Sequence, residues 1–143
     1  MLHCGPALAL PCFTDSGIIK SHSSRADRNR RKDQMLIQIV KASIKPEECE
    51  RWVDVVRHNA KQTRAEDGCI AYQVAEDLEK PNDFVIVELW NNLDAVYVHF
   101  RTQFAKLMAA LDGVFAAPPE AHFHDVDSTL TLDQVLTQAG VRL

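Results

Sequence analysis

The hydrophobic pattern of this chain begins abruptly at Met35. Met35-Leu36-Ile37-Gln38-Ile39-Val40-Lys41-Ala42 is apolar and β-branched, with Gln38 as its main polar interruption, and predicts a first strand. A glutamine in such a strand faces either water or a cavity that uses it, and water is the simpler expectation. Pro46 suits a first helical position, and Glu47, Glu48 and Glu50 favour a helix N-terminus. Cys49, Trp52, Val53, Val56 and Ala60 recur three or four residues apart, which predicts a helix from about Pro46 to Glu66 with this stripe inward. Asp67-Gly68 ends it. His58, beside the stripe, reads as a surface or boundary histidine.

Cys69 to Ala75 predicts a second strand, with Ile70, Tyr72 and Val74 on one face and Cys69, Ala71 and Gln73 on the other. Pro81-Asn82 punctuates a charged turn. Phe84 to Trp90 is nearly continuous in apolar residues until Glu88, the pattern of a strand buried on both faces. Helices on one side of a small sheet cannot cover both faces. The expectation is therefore a homodimer through the sheet. Asn91 or Asn92 can cap the next helix, whose apolar stripe is Leu93, Val96 and Phe100 with Tyr97. Thr102 is expected to cap a second short helix carrying Phe104, Leu107, Met108 and Leu111 inward. After Asp112-Gly113 and the loop Ala116–Pro119, Glu120 to Val126 predicts a last strand, alternating Ala121/Phe123/Asp125 against His122/His124/Val126. Leu132, Val135, Leu136 and Ala139 mark a tail helix within 128–143, suited to covering an edge or clasping a partner. The order is β-α-β-β-α-β plus a tail: an α+β, ferredoxin-like arrangement around an antiparallel sheet.

Composition changes this picture little. The chain has 143 residues, 46% hydrophobic and 25% charged, which suits one globular domain. Charge is more informative. The net charge is −4, yet residues 1–34 carry six Lys or Arg against three Asp, leaving the remainder at −7. An acidic body argues against a nucleic-acid partner, and no run of 18 apolar residues suggests a membrane span. Residues 1–34 are expected to be a disordered leader, since Ser21 to Lys32 offers nothing to bury. An organelle-targeting segment and a natural start at Met35 are the alternatives, and the domain itself is placed at 35–127. Cys4, Cys12, Cys49 and Cys69 lack zinc-like spacing. Cys49 and Cys69 read as small buried hydrophobes in a reducing, cytoplasmic setting.

No phosphate-binding loop, dinucleotide fingerprint, HExxH or GxSxG motif occurs. Candidate chemistry is scattered over Gln38, Tyr72, Glu88, Trp90, Tyr97, His99, His122 and His124. Trp90 could stack on a flat molecule, and its ordinary alternative is a core anchor. His99 could move a proton near neutral pH or merely bridge elements. Glu88 is the oddest charge, needing a partner or a raised pKa if buried and neither if it sits on a wet rim. His122 and His124 share a strand face but lack an evident third metal ligand.

Four pieces together carry a family resemblance: Ala65-Glu66-Asp67-Gly68-Cys69-Ile70-Ala71-Tyr72-Gln73-Val74; Pro81-Asn82-Asp83-Phe84-Val85-Ile86-Val87-Glu88-Leu89-Trp90; Asp94-Ala95 with His99-Phe100; and Pro118-Pro119-Glu120. From about Met35 to Asp127 the chain resembles the antibiotic biosynthesis monooxygenase family. The resemblance implies a dimeric α+β barrel with a cavity between helices and sheet in each subunit. It also implies oxidation of a small aromatic phenol or quinol by O2 without flavin, metal or haem, the substrate anion supplying the electron. On that reading His99 and Tyr72 bind or deprotonate the substrate hydroxyl, with His99 the better base. Trp90, Gln38, Glu88 and Tyr97 line the substrate site. One departure stands out: the segment His99-Phe100-Arg101-Thr102-Gln103-Phe104 is one residue shorter than the family pattern and lacks its second histidine. Related barrels widen the choice. Haem degradation would want an Asn on the first strand, which this chain lacks. An isomerase for a phosphorylated sugar-like molecule would want cations that the pocket strands hardly offer. A non-catalytic barrel binding a small molecule is the alternative from a different class.

Overall fold

The computed structural model describes residues 34–141. The expectations for residues 1–33, including Cys4 and Cys12, lie outside the described residues. Strands β1 (Met35–Ser43), β2 (Cys69–Glu76), β3 (Asp83–Trp90) and β4 (Glu120–Val126) form one antiparallel sheet in the order β2-β3-β1-β4. A single 3-10 turn, Pro46–Glu48, leads into α1 (Cys49–Thr63), which connects β1 to β2. Helix α2 (Leu93–His99), a π-helical turn (Phe100–Phe104) and α3 (Ala105–Ala110) connect β3 to β4, and α4 (Leu132–Gln138) follows. This is the ferredoxin-like order with an added C-terminal helix. Among the described residues no helix is long and apolar enough to cross a membrane.

Local chemistry explains the boundaries. The β2–β3 turn has Pro81 followed by Asn82 at φ 66°, and Asp83 N–H donates to the Lys80 carbonyl at 3.1 Å. That is the turn geometry in which Pro fixes the first central residue and Asn tolerates the left-handed second one. Asn92 caps α2, its side chain accepting from Ala95 N–H at 2.9 Å. Thr131 and Gln134 form a reciprocal capping box on α4.

The connecting helices α1, α2 and α3 lie on one face of the sheet. Trp52 and Val56 of α1 pack with Tyr72, Phe84 and Ile86. The Trp52 ring stands 5.6 Å from that of Phe84 and 5.9 Å, edge-on, from that of Phe115. Truncating a buried aromatic of this kind costs about 3–5 kcal/mol. A smaller cluster of Leu36, Trp90 and Val96 closes the other end.

Three expectations need correction. Gln38 does not face water: β1 alternates Leu36, Gln38, Val40 and Ala42 toward the helices, and Gln38 is buried. A bulge between Cys69 and Ala71 shifts the register of β2. Cys69 then pairs with Trp90 while Tyr72 and Val74 pair with Glu88 and Ile86, so all three share the inner face, and Ile70 is exposed. In one chain taken alone the helices cover one face of β3, and Val85, Val87 and Leu89 on the other face stay partly exposed. Thr102 caps nothing. Its hydroxyl donates to the carbonyls of Val98 (2.9 Å) and His99 (3.3 Å), carrying α2 on into the π turn. The tail helix leaves Leu132 and Val135 exposed, so its apolar stripe is not covered among the described residues.

Candidate active site

A cavity of about 230 Å³ lies between the sheet and the helices. Its wall is mostly apolar: Val40, Ala42, Trp52, Val56 and Ile86 form the floor, and Phe100, Phe104, Leu107, Met108, Phe115, Pro119 and Phe123 form the sides. Four polar side chains interrupt it: Gln38, Tyr72, Glu88 and His99. Three of these are register partners. Tyr72 on β2 lies opposite Glu88 on β3, and Glu88 opposite Gln38 on β1, which in turn faces Phe123 on β4. The sheet therefore presents one polar rank across three strands, with an aromatic ring at its end.

Each member of that rank has a distinct state. The Tyr72 hydroxyl accepts from Asn59 Nδ2 of α1 at 3.2 Å, which leaves its own proton free to be donated. Burial, followed by the charge on Glu88, pushes the Tyr72 phenol up to about 12. Tyr72 is thus a hydrogen-bond donor at neutral pH rather than a base. Burial also raises the Glu88 carboxyl above its ordinary range, opposed by His99 and by the hydrogen bond from the Trp90 indole, Nε1 to Oε2 at 3.0 Å. The Gln38 side-chain oxygen is buried without a hydrogen-bond partner among the described residues. An orphaned buried acceptor costs about 1–3 kcal/mol, and here it belongs to a residue on a cavity wall.

His99 completes the set from the helix side. It ends α2, and its Nδ1 lies 3.1 Å from both carboxylate oxygens of Glu66 in the α1–β2 connection. Its ring is 5.0 Å from that of Trp90 and meets Phe100 edge-on at 5.7 Å. Phe100 stacks on Phe104 at 5.1 Å and leans on Phe123 at 5.8 Å. A π turn within a helix is often found at functional sites, and here it delivers Phe100 and Phe104 to the same cavity.

Two residues expected in the site are elsewhere. Trp90 is fully buried and lies outside the cavity wall, because the register of β3 puts it at the sheet end with Leu36 and Val96. It touches two cavity-lining residues, Glu88 through its indole N–H and His99 through its ring. Tyr97 is 49% exposed, since Val96 and His99 take the inward face of α2 and Tyr97 turns outward. His122 and His124 lie on the exposed opposite face of β4, and among the described residues no three His, Cys, Asp or Glu side chains are grouped to hold a metal ion.

Sequence reasoning missed Asn59 and Glu66. Asn59 had a visible signal, because it sits at helical spacing with the buried Trp52, Val56 and Thr63. Glu66 had none, since its partner is 33 residues away.

Comparison with known proteins agrees with this architecture. Residues 35–111 match the family model described as antibiotic biosynthesis monooxygenase. An uncharacterized protein of Synechocystis sp. is 27% identical over 126 residues, covering 87% of this chain and 85% of its own. A solved structure from Deinococcus radiodurans, described as a proposed antibiotic biosynthesis monooxygenase, superposes with TM-score 0.63 at 28% identity. That match covers 68% of this chain and 97% of the other. A counterpart from Caulobacter crescentus reaches TM-score 0.65 at 21% identity, covering 73% and 100%, and supports the fold alone. With more than half of its length matched by the family model and the same sheet and helix order, the chain belongs to the antibiotic biosynthesis monooxygenase family.

Proposed function

We propose that this protein is a cofactor-independent monooxygenase that oxidises a small aromatic phenol or quinol with O2. The observation that carries the reading is the polar rank Tyr72–Glu88–Gln38, opposed by His99, in an otherwise apolar cavity. An aromatic ring suits the Phe100, Phe104 and Phe123 walls. Its hydroxyls suit the unpaired Gln38 oxygen and the Tyr72 donor. At about 230 Å³ the cavity falls below the usual range of ligand pockets, roughly 300–1,000 Å³. That favours a compact one- or two-ring substrate over haem.

His99 acts as general base through its cavity-side nitrogen, taking the substrate hydroxyl proton. The phenolate transfers one electron to O2, and the resulting radical pair combines to a peroxide at ring carbon. His99 returns its proton to the distal oxygen. The O–O bond breaks as the ring carbon loses its hydrogen, giving the quinone and water. Tyr72 holds the carbonyl oxygen that develops, and the surrounding apolar wall keeps water from quenching the anion.

The reading extends to assembly. The outer sheet face carries Ile37, Ile39, Val85, Val87 and Leu89, each partly exposed in one chain. We propose a homodimer through this face, as its apolar row needs a cover.

Oxygen consumption by purified protein, with chelator present and flavin absent, tests the chemistry against a panel of dihydroxy-aromatics. Saturable uptake that falls about 10²-fold or more in His99→Ala is expected. Uptake no faster than autoxidation across the panel would overturn the reading, and tight ligand uptake without turnover would point instead to a non-catalytic binding barrel.

A further inference from the structure

His99 has two ring nitrogens, and among the described residues only one of them meets a protein partner. Both Glu66 oxygens lie 3.1 Å from Nδ1, while Nε2 makes no hydrogen bond among the described residues. The imidazole side chain is 6% exposed and the Glu66 side chain 18%. The difference follows from their positions. His99 lines the inner cavity, whereas Glu66 lines a separate outer cleft with Asp67, Asn91, Asp94 and Thr102. Glu66 therefore touches water on one side and the imidazole on the other. The α1–β2 connection holds it there: Glu66 N–H donates to the Thr63 carbonyl at 3.1 Å, and Asn91 N–H donates to the Gly68 carbonyl at 2.8 Å.

We propose that Glu66 is a positioning residue that sets the tautomer of His99. A carboxylate is an acceptor only, so the bond requires the imidazole proton on Nδ1. That leaves Nε2 bare on the cavity side, the form a base needs in order to take a substrate proton. When Nε2 takes that proton the ring becomes an imidazolium, and Glu66 at 3.1 Å stabilises its charge. The other carboxylate acting on His99 is Glu88 of β3, which burial pushes toward its neutral form. The asymmetry makes Glu66 the partner that orients the ring and leaves Glu88 to the ligand. The role of Glu66 in catalysis rests on the monooxygenase reading; the tautomer lock does not.

Two readouts separate the two ideas. Nitrogen-15 spectra of histidine-labelled full-length protein show which ring nitrogen carries the proton. We expect Nδ1–H in the wild type, loss of that preference in Glu66→Ala, and its retention in Glu66→Gln, whose amide oxygen still accepts. In turnover assays Glu66→Ala should lower kcat about 10-fold or more with KM little changed, and Glu66→Gln should lose less. A wild-type spectrum with the proton on Nε2 would overturn the proposal even if the alanine variant failed to fold. So would an unchanged tautomer in a folded Glu66→Ala. A correct tautomer in a protein without turnover would instead sink the monooxygenase reading and leave the lock standing.

Discussion

At the scale of single residues, the site consists of polar groups that burial has put in unusual states. Glu88 makes this testable. Its folded carboxyl lies above the ordinary value, chiefly through burial. The folded protein thus binds this proton more tightly than the unfolded chain does. The resulting stability is fully present below the unfolded value, about 4.3, and is lost as pH rises through the folded one. Glu88→Gln removes the titration while keeping an oxygen for the Trp90 indole. The variant should therefore gain in Tm relative to wild type as pH is raised from about 4 to about 8. Parallel stability profiles would show that Glu88 is not held protonated by the fold. Residues of this kind were partly legible. Glu88 stood out as a charge in an apolar strand and His99 as a base at a helix end. The state of Gln38 was not legible, because facing water and facing a cavity have the same sequence pattern.

At the scale of elements, the joints decide the geometry. Gly68 ends the α1–β2 connection at φ 89°, and a Cβ there would lie 2.5 Å from Ala95 Cβ and 2.7 Å from Asn91 Oδ1. Glycine is needed twice over: for the left-handed backbone and for the close approach of α2. Gly68→Ala should cost at least about 1–3 kcal/mol from backbone strain alone, and should loosen the Glu66–His99 pair by pushing the connection away from α2. Urea denaturation measures the first effect, and a loss below about 0.5 kcal/mol would contradict it. The stop at Gly68 was legible as a helix terminator, but its packing against Ala95 was not, since that contact joins residues 27 apart. The π turn escaped detection for a related reason. Phe100-Arg101-Thr102-Gln103-Phe104 has ordinary helical composition, so nothing local distinguishes a π turn from an α turn.

At the scale of the whole molecule, the sheet divides two functions between its faces. The inner face builds the cavity, and the outer face presents the apolar row proposed as the subunit interface. Val87 lies near the middle of that row and has no role in the cavity. Val87→Lys should convert a dimer into a monomer in sedimentation experiments, because a lysine ammonium buried without a partner is costly. A wild-type protein that sediments as a monomer would overturn the dimer, and a variant that remains dimeric would place the interface elsewhere. The exposed Leu132 and Val135 of α4 offer such an alternative surface.

The chain by itself determined the elements and their order. Strand and helix periods are local properties, and Pro46, Gly68, Pro81-Asn82 and Asn92 mark boundaries through backbone preferences that act within a few residues. The family resemblance followed from the same local runs. Tertiary structure alone decided which side chains meet. The alignment of Tyr72, Glu88 and Gln38 depends on the register of three strands and on a one-residue bulge at Cys69–Ala71. A slip of one position would have sent any of them to the opposite face. The burial of Trp90 behind the cavity, the outward turn of Tyr97 and the pairing of Glu66 with His99 are likewise long-range packing outcomes. They are set by how helices settle on a twisted sheet, which no local pattern of hydrophobic and polar residues encodes.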